Sequence, residues 1–119
     1  MKRIHFISAA AGIIFMLLAA CAAPEPPPYS GTLDTSGKEA VDACIADLKS
    51  RLGPNTGEII LISYEPTIWR DTSLGISEQG KTYTPAVTPG AVVVLRTSGR
   101  SFTYHAGRIS NRPEVKLAG

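Results

Sequence analysis

The 119-residue sequence is poor in the residue types from which most reactive sites are built. It has two cysteines, Cys21 and Cys44, and two histidines, His5 and His105. A metal centre draws three or four ligands from closely grouped Cys, His, Asp and Glu, and the sequence offers no such cluster. The glycines form no phosphate-cradling run. No G-x-S-x-G elbow presents a serine, and no oxyanion loop accompanies one. No metal or other cofactor is therefore expected.

What is present begins with a leader. Lys2, Arg3 and His5 give a positive start, and an apolar run follows from Phe6 to Ala20. That run falls short of the ~20 apolar residues that span a bilayer comfortably, and it fits the charged, apolar and small-residue plan of a signal peptide. The closing Leu18-Ala19-Ala20-Cys21 resembles the lipobox of bacterial lipoproteins. The resemblance implies cleavage between Ala20 and Cys21, with small Ala19 and Ala20 fitting the peptidase and the Cys21 thiol taking up a diacylglycerol. One acyl chain holds a protein marginally and two or more hold it stably. Residues 1–20 are thus expected to be a signal peptide. Cys21 becomes the lipidated, palmitate-bearing N-terminus of an exported protein. Ala22 stands where an aspartate is associated with inner-membrane retention. The expected location is the periplasmic face of the outer membrane in a Gram-negative cell, and otherwise the outer face of the cell membrane. The alternative is an ordinary secretory signal with a chance cysteine.

Removing the leader changes the charge. The chain carries 12 Lys and Arg against 10 Asp and Glu, but Lys2 and Arg3 depart with the signal. Ten against ten remain, so no basic face is expected and no nucleic-acid partner is indicated. With Cys21 committed to lipid, Cys44 has no internal partner. It is either a buried thiol or an intermolecular one.

Residues 21–33 combine the lipidated cysteine with a proline-rich stretch, "AAPEPPPYSGT", that reads as an extended tether. An α+β domain is expected over 34–106. Ser36 and Glu39 fit a capping box, and Ala40, Val41, Cys44, Ile45, Leu48 and Leu52 recur at helical spacing until Gly53 and Pro54. Glu58–Glu65 reads as a buried central strand that Pro66 ends. Lys81–Val87 reads as a short edge strand, and Thr88-Pro89-Gly90 as a turn. A hairpin of "AVVVLRT" and "RSFTYHA" turns at Ser98-Gly99. Its register opposes Leu95 to Phe102 and Val93 to Tyr104 on the core face, with Val92 against His105 and Arg96 against Ser101 on the other. Residues 107–119 read as a flexible tail. The expected architecture is one amphipathic helix packed on a small, mainly antiparallel sheet of about four strands.

Three sets of residues invite a chemical reading. Asp71, Ser73 and His105 allow a nucleophilic triad on paper, against the plainer reading of His105 as a strand residue at a sheet surface. Trp69, Arg70 and Asp71 form a candidate recognition knob, since Trp and Arg are enriched at binding hot spots. The plainer reading has Trp69 plugging the end of the core and Asp71 capping a turn, with Arg70 left open. Cys44 sits on the apolar helix stripe without a partner base, as an inert buried thiol would.

The run Trp69-x-Asp71-x-Ser73-Leu74-Gly75, then Gly80, Tyr83, Thr88-Pro89-Gly90 and Tyr104-His105, resembles a small exported bacterial domain of unassigned function. That domain reads W-P-D-x-S-L-G-C-P, then P-G, a tyrosine, T-P-G-Y and Y-x-Y-H, and it often follows a helix ending in R-L-G, as Arg51-Leu52-Gly53 does. The likeness spans roughly residues 40 to 106. Arg70 replaces its proline, Ala91 its tyrosine and Ile76 its cysteine. The resemblance implies a disulfide between that cysteine and another near the C-terminus, both absent here. It implies a less pinned tail and the loss of about 2–4 kcal/mol of stability.

Taken together, these features predict a lipid-anchored envelope protein, non-enzymatic, binding another envelope protein or a wall component. A protease inhibitor presenting Arg70 on the 67–80 loop is the main alternative, and a small hydrolase a lesser one.

Overall fold

A computed structural model describes residues 25–119. The expected signal peptide, the expected cleavage site at Ala20 and Cys21, and the start of the proline-rich stretch lie outside the described residues. Among those described, no helix is long and apolar enough to cross a membrane.

Helix α1 runs from Thr35 to Leu52. Its N-cap is Asp34, not Ser36: the Asp34 side chain accepts from the Gly37 amide at 2.7 Å, and Asp34 O accepts from Lys38. Aspartate is as good an N-cap as serine, and its negative charge also suits the positive end of the helix dipole. Glu39 is thereby free to pair with Arg108 on the sheet. Gly37, Val41, Cys44 and Leu48 form the buried stripe. Ala40 and Ile45 flank it, while Leu52 is largely exposed. Lys49 and Arg51 stand at the negative end, and Gly53, at φ 90°, closes the helix.

Four antiparallel strands follow in the spatial order β1-β2-β3-β4: β1 Ile60–Trp69, β2 Thr88–Thr97, β3 Arg100–Ile109 and β4 Arg112–Leu117. The fold is α+β, one helix on a four-stranded sheet. The β2–β3 hairpin has the expected register, with Leu95 opposite Phe102, Val93 opposite Tyr104, Val92 opposite His105 and Arg96 opposite Ser101. Ser98 and Gly99 both take positive φ, the paired left-handed turn that matches strand twist. Ala91, Val93, Leu95, Phe102, Tyr104 and Ala106 close against Val41, Cys44 and Leu48 to make the core.

The other strands depart from expectation. The strand at 60–69 is an edge, not the centre, and it continues through Pro66, which pairs with Ala91. An edge tolerates proline because the missing N–H can face away from the sheet. Thr88-Pro89-Gly90 is the start of β2 rather than a turn, and Lys81–Val87 forms no strand. The fourth strand comes instead from the expected tail. After Gly107, β3 runs on to Ile109, turns at Ser110 and Asn111 (both at positive φ), and returns as β4. The alternation in Glu114-Val115-Lys116-Leu117 is the strand signal that this tail carried.

Toward the N-terminus, the proline-rich segment lies against the domain. The Tyr29 amide donates to Leu61 O at 2.7 Å on the outer side of β1, and Glu25 pairs with Arg96 at 3.3 Å.

Candidate functional site

Trp69 ends β1 on the sheet face opposite the helix, so it does not plug the helix-side core. Its indole N–H donates to Ala106 O at 2.7 Å, and its ring stacks on His105 with centroids 4.7 Å apart and planes 21° from parallel. Two glycines make this seat. Gly90 and Gly107 oppose each other in the β2–β3 register. A Cβ on Gly90 would run into Ala106 O and the Trp69 indole, and one on Gly107 would stand 2.5 Å from Leu74 Cδ2. The facing pair was present in the sequence as a gap in the apolar alternation, but only the register gave it meaning.

Residues 70–87 fold back over this face. Asp71 accepts from the Ser73 amide at 2.9 Å and from the Ser73 hydroxyl at 2.5 Å. The hydroxyl bond first, and the amide bond second, hold its carboxyl below the usual carboxylate range. Ser73 O then accepts from Ile76 N across Leu74 and Gly75, both at positive φ. Leu74 is fully buried in this left-handed conformation. Its side chain sits on Gly107, and its carbonyl lies 2.7 Å from His105 Nδ1. A carbonyl only accepts, so Nδ1 bears the proton. Further along, Thr72 and Thr84 exchange two hydrogen bonds, and Tyr83 OH accepts from Glu78 N. Lys116 of β4 donates to Ile76 O at 3.4 Å and stands 4.7 Å from the centre of the Tyr83 ring.

Asp71, Ser73 and His105 do not form the triad that can be written from the sequence. Ser73 is buried and donates directly to Asp71, and the His105 nitrogen that a triad carboxylate would hold is bonded to Leu74 O. Of the recognition knob, Trp69 and Asp71 are committed to internal hydrogen bonds, and Arg70 is exposed. Cys44 is fully buried, and burial first, with Asp47 nearby second, pushes its thiol up to about 12, far from a reactive thiolate. Among the described residues, no group of three or more His, Cys, Asp or Glu is placed to hold a metal ion.

Two features had no sequence signal. Tyr104 donates to Asp47 at 2.7 Å, and Arg51 Nε reaches the same oxygen at 2.6 Å, locking the helix to β3. Burial works against the Asp47 charge, but the bonds from Arg51 and Tyr104 outweigh it and lower the carboxyl from its ordinary value. Burial, then the bond to Asp47, raises the Tyr104 phenol. The second feature is a groove of about 830 Å³ at the N-terminal end of α1. Tyr29 and Leu33 of the tether, Tyr64 and Pro66 of β1, and Pro89 and Pro113 supply its apolar walls. Arg108, Asn111, Asp34 and Ser36 supply polar groups at its margin. It draws on four separate stretches of the chain, which is why no local motif announced it.

A family model described as a domain of unknown function, DUF8738, matches residues 41–113. No curated protein and no solved structure matches the chain.

Proposed function

The chain belongs to the DUF8738 family, and from that premise we propose a lipid-anchored cell-envelope protein that works as a non-enzymatic binding module. Cys21 is its lipid attachment point, and the partner is another envelope protein or a wall component. The observation that carries the binding half of this reading is the tyrosine- and proline-walled groove between tether, helix and sheet. Concave, mainly apolar sites with a few convergent polar groups are where ligands bind. The side chains that a reaction would need are engaged elsewhere: Asp71 with Ser73, and His105 with a backbone carbonyl. The inhibitor alternative is disfavoured by the conformation after Arg70. A protease reads an extended, accessible segment, whereas the chain turns at once and Ser73 is only 3% exposed.

The test uses the full chain in a bacterial host fed labelled palmitate. Label and membrane association are expected in the parent and absent in Cys21→Ser. Retention on purified envelope fractions should fall in Tyr64→Ala while the fold is kept. Turnover of any envelope substrate that His105→Ala or Ser73→Ala abolishes would overturn the non-enzymatic reading.

A further inference from the structure

The two edges of the sheet are treated differently. β1 has Tyr29 bonded along its outer side, whereas no described backbone group pairs with the outer side of β4. We propose that the β4 edge pairs antiparallel with the same edge of a second copy of this chain, about a twofold axis at Val115, joining two sheets into one of eight strands.

The hydrogen-bond phase of the β3–β4 ladder decides which backbone groups point outward. The two-residue turn at Ser110 and Asn111 makes Ile109 and Arg112 a hydrogen-bonded pair, and such pairs alternate along an antiparallel ladder. Glu114 and Lys116 therefore bond inward to Gly107 and His105. The Ala118 amide bonding to Thr103 O at 2.7 Å keeps the same phase. What faces outward is the N–H and C=O of Val115 and Leu117 and the C=O of Pro113, which has no N–H.

Outward groups meet outward groups only when the register moves in steps of two residues, and charge then selects among the steps. With Val115 opposite Val115, Glu114 of each copy faces Lys116 of the other, twice, at the closely spaced non-bonded positions. On the helix side the same register sets Pro113 against Leu117. The Val115 amides bond one another's carbonyls, and each Leu117 N–H meets a Pro113 C=O. Shifting one step sets Lys116 against Lys116. Shifting the other way sets Glu114 against Glu114 and Arg112 against Lys116. A further step in that direction again pairs opposite charges, Arg112 with Glu114, but it centres on Pro113 opposite Pro113, where no N–H exists to donate.

Glu114 is exposed and makes no ion pair among the described residues. Lys116 gives one hydrogen bond to Ile76 O and keeps further donors for a partner. A twofold axis perpendicular to the sheet leaves both helices on one side of the joined sheet. This is an isologous interface, in which the same patch serves both subunits.

Sedimentation of the full chain in mild detergent, over a wide concentration range, tests the proposal. A reversible dimer is expected. Glu114→Lys or Lys116→Glu alone should raise its dissociation constant about tenfold, because two attractive contacts become repulsive. Glu114→Lys combined with Lys116→Glu should restore it. Mixing a Glu114→Cys chain with a Lys116→Cys chain should give a disulfide-linked dimer that neither gives alone, since opposed Cα atoms at these positions are about 4.5 Å apart. A parent that is monomeric throughout, or a Glu114→Lys variant as dimeric as the parent, overturns the proposal. Cross-linking in either unmixed sample overturns the register.

Discussion

The two faces of the sheet are closed by different physics. On one, α1 lays Val41, Cys44 and Leu48 on Val93, Leu95 and Tyr104, and the seal is mainly apolar burial, worth roughly 1.5–3 kcal/mol for each large side chain. On the other, the loop at 70–87 buries one large side chain, Leu74, and is otherwise held by a handful of directed contacts: the Trp69–His105 stack, the Trp69 and His105 hydrogen bonds to Ala106 O and Leu74 O, and the Lys116 reach to Ile76 O. Burial is cooperative and tolerant of detail. Directed contacts each stabilise by about 1 kcal/mol and act locally. The helix face should therefore unfold with the whole domain, and the loop face should open on its own.

The largest effect should come from the first face. Leu48→Ala is expected to lower global stability by about 2–5 kcal/mol in denaturant titration, with the tryptophan signal and the helix signal moving together. Separate transitions in that variant would mean that the helix is not part of one cooperative unit with the sheet.

A smaller and more local effect is expected on the second face. His105→Ala removes one hydrogen bond and one ring stack, together about 1–3 kcal/mol. Protease cleavage at Arg70 and Lys81 should quicken, and Trp69 fluorescence should shift toward that of an exposed indole. Amide protection in α1 should barely change. A fall in helix protection as large as that at the loop would erase the distinction between the faces.

The smallest effect at neutral pH becomes visible only in alkali. The folded-state Cys44 thiol is raised from an ordinary value near 9 to about 12. A raised value means that the native state holds the proton more tightly. This contribution to stability is complete below about pH 9 and is lost as pH rises from about 9 to about 12. Cys44→Ala should flatten that alkaline limb in a denaturant series. An unchanged limb would show that the thiol is not sealed by the helix. Asp47 has the opposite sign: its depressed carboxyl contributes above the ordinary carboxylate range and is lost as pH falls through the folded value.

The same division governs what the sequence disclosed. Helix periodicity and hairpin alternation are repeated statements, so Val41, Cys44 and Leu48, and the pairings of Leu95 with Phe102 and Val93 with Tyr104, were readable without coordinates. The loop face rests on single events. Leu74 holds a left-handed turn while buried, Gly90 and Gly107 face each other, and Lys116 arrives from a strand forty residues beyond Ile76. None recurs with a period, and each needs the register before it means anything. The errors in the strands share one cause. Proline was read as a stop at Pro66 and as part of a turn at Pro89, but on this sheet Pro66 lies in an edge strand and Pro89 is the second residue of β2, where a missing N–H is tolerated. The implied loss of a bridge at Ile76 did not leave the C-terminus loose, because β4 pairs along β3 and returns a lysine to that very position.

One contact at the N-terminus has a mechanical consequence. By sequence, twelve residues lie between Cys21 and the helix cap at Asp34, a leash of about 40 Å if drawn out at the polyproline rise. Because Tyr29 is fastened to Leu61, only the seven residues between Cys21 and Tyr29 can add to that leash, and its greatest reach falls to about 25 Å. If lipid holds Cys21, the volume that the domain can sweep shrinks about fourfold. The molecule then patrols a thin layer next to its own bilayer. Copies so held would meet at a local concentration far above their average in the compartment, which favours even a weak lateral contact.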